Sequence, residues 1–176
     1  MMEDLSLHVL DIAENAVAAG ATRVLIAVNE NELRDVLTLR VTDNGRGMSR
    51  EEKERALDPF FTTGRKRTGL GLPLLAQTAD VCGGRLTLTS AQGTGTKVVA
   101  RFPFTHVDRP PLTKMAETMM TLIFGHPGID FGYRHTRNGS RFSFLRHGRS
   151  GGAVFPAEIA GIREALRSGL ARIGVS

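Results

Sequence analysis

Cys82 is the only cysteine among 176 residues. A disulfide framework and a cysteine-based metal cluster are thereby excluded, and Cys82 is expected as a small core residue. Long apolar runs are missing too. None approaches the roughly 20 residues needed to cross a bilayer. The start Met1-Met2-Glu3-Asp4 is acidic, unlike a signal peptide, so a cytoplasmic location is expected. Despite Gly95-Thr96-Lys97, the spacing Gly-x-x-x-x-Gly-Lys-Ser/Thr occurs nowhere, which excludes the P-loop class. No internal repeat or low-complexity tract is found.

What is present is a soluble globular composition, 41% hydrophobic and 23% charged, in a chain long enough for one full core and a little more. Residues 1–106 hold 13 Lys+Arg and 13 Asp+Glu, while residues 107–176 hold 10 and 5, so the tail supplies the whole net charge of +5. Periodicity predicts a helix from Leu5 to Ala19, with Leu5, Val9, Leu10, Ile12, Ala13, Ala16 and Val17 on one broad face. Opposite them Asp4, His8, Asp11 and Asn15 form a narrow stripe flanked by Ala18 and Ala19. The stripe is either a solvated face or a surface that something approaches closely. Strands are predicted over 22–28 and 36–42, a capping box at Ser49-Arg50-Glu51-Glu52, a helix through Val81, and strands over 85–90 and 97–104. After a linker at 107–111 come an amphipathic helix over 112–124, a hairpin about Asn138-Gly139 and a helix from Pro156 to Ile173. Met115, Met119 and Met120 read as core filler, and the hairpin aromatics Phe131, Tyr133, Phe142 and Phe144 as core rather than a stacking platform for bases.

The chemistry gathers in the first 106 residues. Alternation on Leu37, Leu39 and Val41 delivers Asp43 to the end of a strand, followed by Asn44-Gly45-Arg46-Gly47-Met48. These residues are either an ordinary turn or a pocket in which a carboxylate acceptor stands beside glycines that admit a flat or charged ligand. Phe60-Phe61 precedes Arg65-Lys66-Arg67, a cationic run that is either solvated or a phosphate clamp. Gly69-Leu70-Gly71-Leu72 opens a helix whose unpaired N–H groups and dipole favour an anion.

Taken in order, these stretches resemble the GHKL ATPase superfamily of histidine kinases, DNA gyrase, heat-shock chaperone ATPases and mismatch-repair ATPases. Asp11-Ile-Ala-Glu-Asn15-Ala is similar to its N box, Asp43 to Met48 to its first glycine box, Pro59-Phe-Phe-Thr-Thr63 to the aromatic box of histidine kinases, Thr68 to Leu72 to the second glycine box and Gly93 to Thr96 to the third. The resemblance implies a two-layer α/β (α+β) sandwich of the Bergerat type. Its helices lie on one face of a mixed, mostly antiparallel sheet, and an α-β-β-α extension follows at 112–176. It implies ATP and Mg²⁺ as ligands. By position Asp43 would accept from the adenine amino group with Thr96 assisting, and Asn15 would ligate Mg²⁺. Gly45, Gly47 and Met48 would shape the base pocket, Gly69, Leu70 and Gly71 would hold phosphates, and Arg65, Lys66 and Arg67 would close over them as a lid. Asp11 stands where hydrolytic relatives carry Glu and is the candidate base, with Glu14 second; His8 is either a tuner of Asp11 or a surface histidine.

Two departures qualify the resemblance. Only ten residues precede Asp11, so autophosphorylation in cis of the histidine-kinase kind is not expected, and the strands that often precede the N box are missing, leaving the tail to complete or cover the fold. Three functions follow as expectations. One is a nucleotide-dependent regulator of a protein partner, acting by lid closure with slow hydrolysis or phosphoryl transfer. The second is a protein serine kinase resembling anti-sigma factors. The third is a non-catalytic nucleotide-sensing adaptor with a basic tail, for which nucleic acid is a poor candidate partner because ten cations over 70 residues is modest.

Overall fold

The computed structural model describes residues 4–58, 71–149, 151 and 155–175. In chain order the elements are α1 (Leu5–Ala18), β1 (Arg23–Asn31), β2 (Val36–Asp43), α2 (Arg50–Arg55), α3 (Gly71–Val81), β3 (Arg85–Ser90), β4 (Thr96–Phe102), α4 (Met115–Gly125), β5 (Asp130–Arg137), β6 (Ser140–Arg146) and α5 (Pro156–Arg172). Strand β1 outruns its expected end, because Asn29, Glu30 and Asn31 go on pairing with Thr38, Leu37 and Val36. Elsewhere the bounds move by a few residues at most. Phe60, Phe61 and the proposed lid, together with Gly69 and Leu70, lie outside the described residues.

All six strands join one sheet in the order β3-β4-β2-β1-β5-β6, antiparallel at every junction except β1–β5. Helices cover a single face. From one edge to the other they run α3, α1, α4, α5, each touching the next, with α3 over β3 and β4, α1 over β1 and β2, α4 on β5 and α5 on β6. Strand alternation sets this arrangement: Val24, Ile26, Val28, Leu37, Leu39, Val41, Val98, Ala100 and Phe102 are buried beneath the helices. Their neighbours Leu25, Arg40, Lys97 and Arg101 point the other way and are exposed. Fully burying a large apolar side chain contributes about 1.5–3 kcal/mol, so this face dominates the stability. The result is the two-layer Bergerat-type sandwich.

Residues after 111 share this core. Met115, Met119 and Met120 of α4, and Phe131, Tyr133 and Phe142 of the hairpin, are buried in the same cluster as α1. The hairpin turns on Asn138 (φ 48°) and Gly139 (φ 90°), the two positive φ values that a tight turn matched to the strand twist requires. Gly169 is a helix-interior glycine with a packing reason, since a Cβ there would stand 2.1 Å from the Phe142 ring. A buried polar chain ties β5 to β1: His135 lies 2.6 Å from the Tyr133 hydroxyl through Nδ1 and 2.5 Å from Glu30 Oε1 through Nε2. Burial, then the Glu30 charge, push the Tyr133 phenol far above its usual range, so it stays protonated and donates to Nδ1. His135 then donates from Nε2 to the Glu30 carboxylate, which satisfies each group in turn.

The start of α1 is fixed by the approach to α4. Asp4 caps α1 by accepting from Ser6 N at 2.8 Å and from the Ser6 hydroxyl, and its other oxygen accepts from Thr113 N at 3.0 Å and Thr113 Oγ1 at 2.5 Å. Leu5 N donates to Pro111 O at 2.8 Å and Lys114 N to Ser6 Oγ at 3.0 Å. His8 is buried too, at 6% exposure, so the expected surface histidine is a packed one. The polar stripe is therefore split: Asp4 and His8 are covered, whereas Asp11 is exposed and Asn15 half-buried.

Burial raises the Asp4 pKa, but the Ser6 and Thr113 hydrogen bonds outweigh it and hold the carboxyl below its ordinary 3.8. A depressed pKa means stabilisation that is present above that value and lost as the pH falls through and below it. Asp4→Ala should cost about 1–2 kcal/mol at neutral pH. In urea titrations the gap between variant and wild type should narrow as the pH falls below about 5, and a constant gap would refute the assignment.

Candidate nucleotide site

The site is built around the far end of α1. Asp43 closes β2 and pairs with Val24 of β1 and Thr96 of β4. Its Oδ1 accepts from Gly45 N at 2.8 Å, which orients the carboxylate and leaves Oδ2 for another donor. The loop then runs against the helix end: Arg46 N donates to Ala19 O at 2.9 Å, and a Cβ on Gly45 would lie 3.0 Å from Ala19 O and 3.1 Å from Ala19 Cβ. Asn44 pins the other side by accepting from Thr22 N at 2.9 Å and Arg23 N at 2.8 Å. At the aligned end of β4, Gly95 (φ 82°) would place a Cβ 2.0 Å from Asp43 O, and Gly47 (φ 67°) would place one 1.9 Å from Ala91 O. Neither position admits a side chain.

Ser90 was missed in the sequence, where it reads as an ordinary last residue of a strand. Its hydroxyl accepts from Met48 N, donates to Gly95 O and meets Thr96 Oγ1, each at 2.9 Å. With its single proton on Gly95 O, the contact with Thr96 needs the Thr96 proton, so Thr96 presents only acceptor lone pairs beside Asp43. Arg46 reaches Glu52 at 3.0 Å, and the capping box expected at Ser49 is formed. The Ser49 backbone bond first, then Arg46, hold the Glu52 carboxyl below its usual range.

At the other end of the same stripe α3 begins. A Cβ on Gly71 would fall 2.9 Å from Asp11 Cβ, so the first turn of α3 lies directly against Asp11. Asp11, Asn15 and Ala19 succeed one another at four-residue intervals on one helix face and span about 12 Å. Asp43 thus sits beyond one end of a row whose opposite end is a helix N-terminus, with Asn15 between them. Glu14 is placed differently. Both its carboxylate oxygens bond His126 Nε2, at 3.0 and 2.9 Å, which holds Glu14 on the α4 side of α1, the flank away from Asp11 and α3.

The oxygen-only set of Asp11 and Asn15 suits a hard cation carried in by phosphates. Among the described residues no group of three or more His, Cys, Asp or Glu could hold a metal without such help. Mg²⁺ with a nucleotide therefore fits the residues present, and a protein-only metal cage is not formed among the described residues.

Fold and site together define a two-layer α/β domain in which a glycine-lined strand end meets the end of a polar helix stripe. The family model described as histidine kinase-, DNA gyrase B- and HSP90-like ATPase matches residues 3–106, and the chain belongs to that family. It is similar to the sensor histidine kinase ZraS of Escherichia coli O157:H7, 28% identical over 107 residues that make up 61% of this chain and 23% of that protein. To the sensor protein kinase WalK of Staphylococcus haemolyticus (strain JCSC1435) it is 30% identical over 95 residues, 51% of this chain and 16% of the relative. Against the solved catalytic domain of histidine kinase ThkA in a nucleotide-free form the TM-score is 0.47 at 25% identity, covering 58% of this chain and 68% of that one. The chain spans less than a quarter of the length of these two sensor kinases.

Gly47→Ala should be the costliest single methyl group in the loop. It combines positive φ with a backbone overlap, and a loss of about 2 kcal/mol or more in chemical denaturation is expected. Ser90→Ala should cost about 1–3 kcal/mol by orphaning Met48 N and Gly95 O. A Gly47→Ala protein as stable as wild type would show that the loop does not lie on Ala91.

Proposed function

We propose that the chain binds ATP with Mg²⁺ along the Asp11–Asn15–Ala19 row and uses the bound nucleotide to regulate a protein partner. The observation that carries this is the row itself, tied to the Asp43 loop at Ala19 and to the start of α3 at Asp11. Asp43 Oδ2 accepts from the exocyclic amine of adenine, and Thr96, acceptor-only, takes a water that bridges to the same edge. Guanine would turn a carbonyl toward two acceptors, a mismatch costing about 1–3 kcal/mol for each unpaired group. Asn15 Oδ1 ligates the metal, and the N–H groups of the first turn of α3 hold phosphate oxygens.

Bound Mg²⁺ supplies neutralising charge on the phosphates. Asp11 orients a water, but it is one methylene shorter than glutamate, and proton transfer needs an approach within about 3 Å. Hydrolysis is correspondingly slow, or gives way to transfer of the phosphoryl group to the partner. The role of Arg65, Lys66 and Arg67 as a closing lid, and of the Gly69 and Leu70 backbone N–H groups as hydrogen-bond donors to the phosphates, belongs to the same proposal. Glu14 is held by His126 and contributes by fixing α1 against α4.

Calorimetric titration with ATP, with and without Mg²⁺, tests the reading. Asp43→Ala should abolish binding, and Asn15→Ala should keep nucleotide binding while losing its dependence on Mg²⁺. Normal binding by Asp43→Ala would reject the proposal. Incubation with labelled ATP separates the two outcomes of the chemistry: phosphate in solution reports hydrolysis, and phosphate on an added protein reports transfer.

A further inference from the structure

The face of the sheet turned away from the helices has an unusual charge pattern. Register places its residues in three rows that cross all six strands in the order β3 to β6. One row is Arg85, Arg101, Thr38, Asn29, Thr136, Arg141; the next is Thr87, Val99, Arg40, Ala27, Arg134, Ser143; the third is Thr89, Lys97, Thr42, Leu25, Gly132, Leu145. Arg85, Arg101, Arg141, Arg40, Arg134 and Lys97 are all exposed, and no Asp or Glu occupies any position of the three rows. Among the described residues none of the six has an ion pair, whereas Arg137, Arg146, Arg149 and Arg167 of the tail do. Arg23, one step beyond the rows, lies 3.9 Å from Asp130. The tail's excess charge is thus partly spent on the helix side, while this plane draws its cations from both halves of the chain.

We propose that this open sheet face is the docking surface for an acidic protein. With strands about 4.8 Å apart and residues rising about 3.3 Å each, the rows cover about 24 by 13 Å. Five of the six cations are arginine, whose planar fork pairs carboxylates two-fold. At one corner Leu25 (44% exposed) and Leu145 (56% exposed) flank Gly132, which leaves room for Leu25 to lie across the strand. Arginine, hydroxyl groups and an apolar corner together make the mosaic of a protein interface. Among the described residues the three rows carry no aromatic side chain for stacking single-stranded bases, and a sheet plane offers no element to enter a duplex groove. A second copy meeting this face with its own would oppose like charges, so self-association through it is disfavoured. The surface lies on the opposite side of the sheet from the helix stripe, and its assignment stands whether or not the nucleotide reading does.

The test uses the whole chain and three probes at one ionic strength: a glutamate–tyrosine copolymer, duplex DNA and phosphatidylglycerol vesicles. The copolymer should bind most tightly. Arg40→Glu with Arg134→Glu should weaken it roughly tenfold or more, the neutralising pair Arg40→Gln with Arg134→Gln by less, and Arg163→Glu on α5 hardly at all. ATP titration of the same variants should be unchanged, which separates this surface from the nucleotide site. Equal copolymer binding by the reversed pair and wild type would overturn the proposal, as would tighter binding of DNA or vesicles through Arg40 and Arg134.

Discussion

Helix α1 is anchored at both ends by segments remote in sequence, and the rest of the molecule is arranged about that anchoring. At its start the Asp4 carboxylate satisfies two unpaired N–H groups, one of α1 and one of the chain entering α4. At its end the Ala19 carbonyl, which no further helical turn can use, takes the Arg46 N–H. These are groups that any helix must pair with something. Here their partners are the approach to α4 and the strand-end loop, so the same bonds that finish the helix also place the functional stripe.

The loop that meets Ala19 is packed to the limit of backbone contact. Gly47 and Gly95 stand where a methyl group would overlap Ala91 or Asp43, and at Gly45 one would press against Ala19. Three chain segments therefore meet through their main chains, and the Ser90 hydroxyl joins the two glycine-rich ones. Such contacts leave little freedom in the Asp43 carboxylate, whose one oxygen is already engaged by Gly45 N. A pre-oriented acceptor of this kind discriminates by hydrogen-bond sign more than by size. The proposed choice of adenine rests on that.

Residues beyond the matched 3–106 do more than follow the ATPase core. Strand β5 lies parallel to β1, α4 packs on α1, and His126 at the end of α4 bonds Glu14, the neighbour of Asn15. The same strands widen the exposed face on the other side, adding Arg134 and Arg141 to cations supplied by β2, β3 and β4. One segment thus buttresses the helix carrying the proposed metal ligand and enlarges the surface proposed for a partner.

Much of this was readable before any coordinates, because it depends on local pattern. The spacing of Val9, Ile12, Ala13 and Ala16, the alternation of Leu37, Leu39 and Val41, the Ser49 capping box and the Asn138-Gly139 turn each act within a few residues. So does the strand-end carboxylate followed by glycines, which is why Asp43 stood out. What only the tertiary structure decided are the long-range pairings: Asp4 with Thr113, Glu14 with His126, Ser90 with Met48, β1 with β5, and the burial of His8. Nothing in the nearby sequence marks those partners, since a hydroxyl, an imidazole or a strand edge is equally suited to water until folding fixes what lies opposite. The cationic plane is of the same kind, its charges scattered along five of the six strands and gathered only by their register.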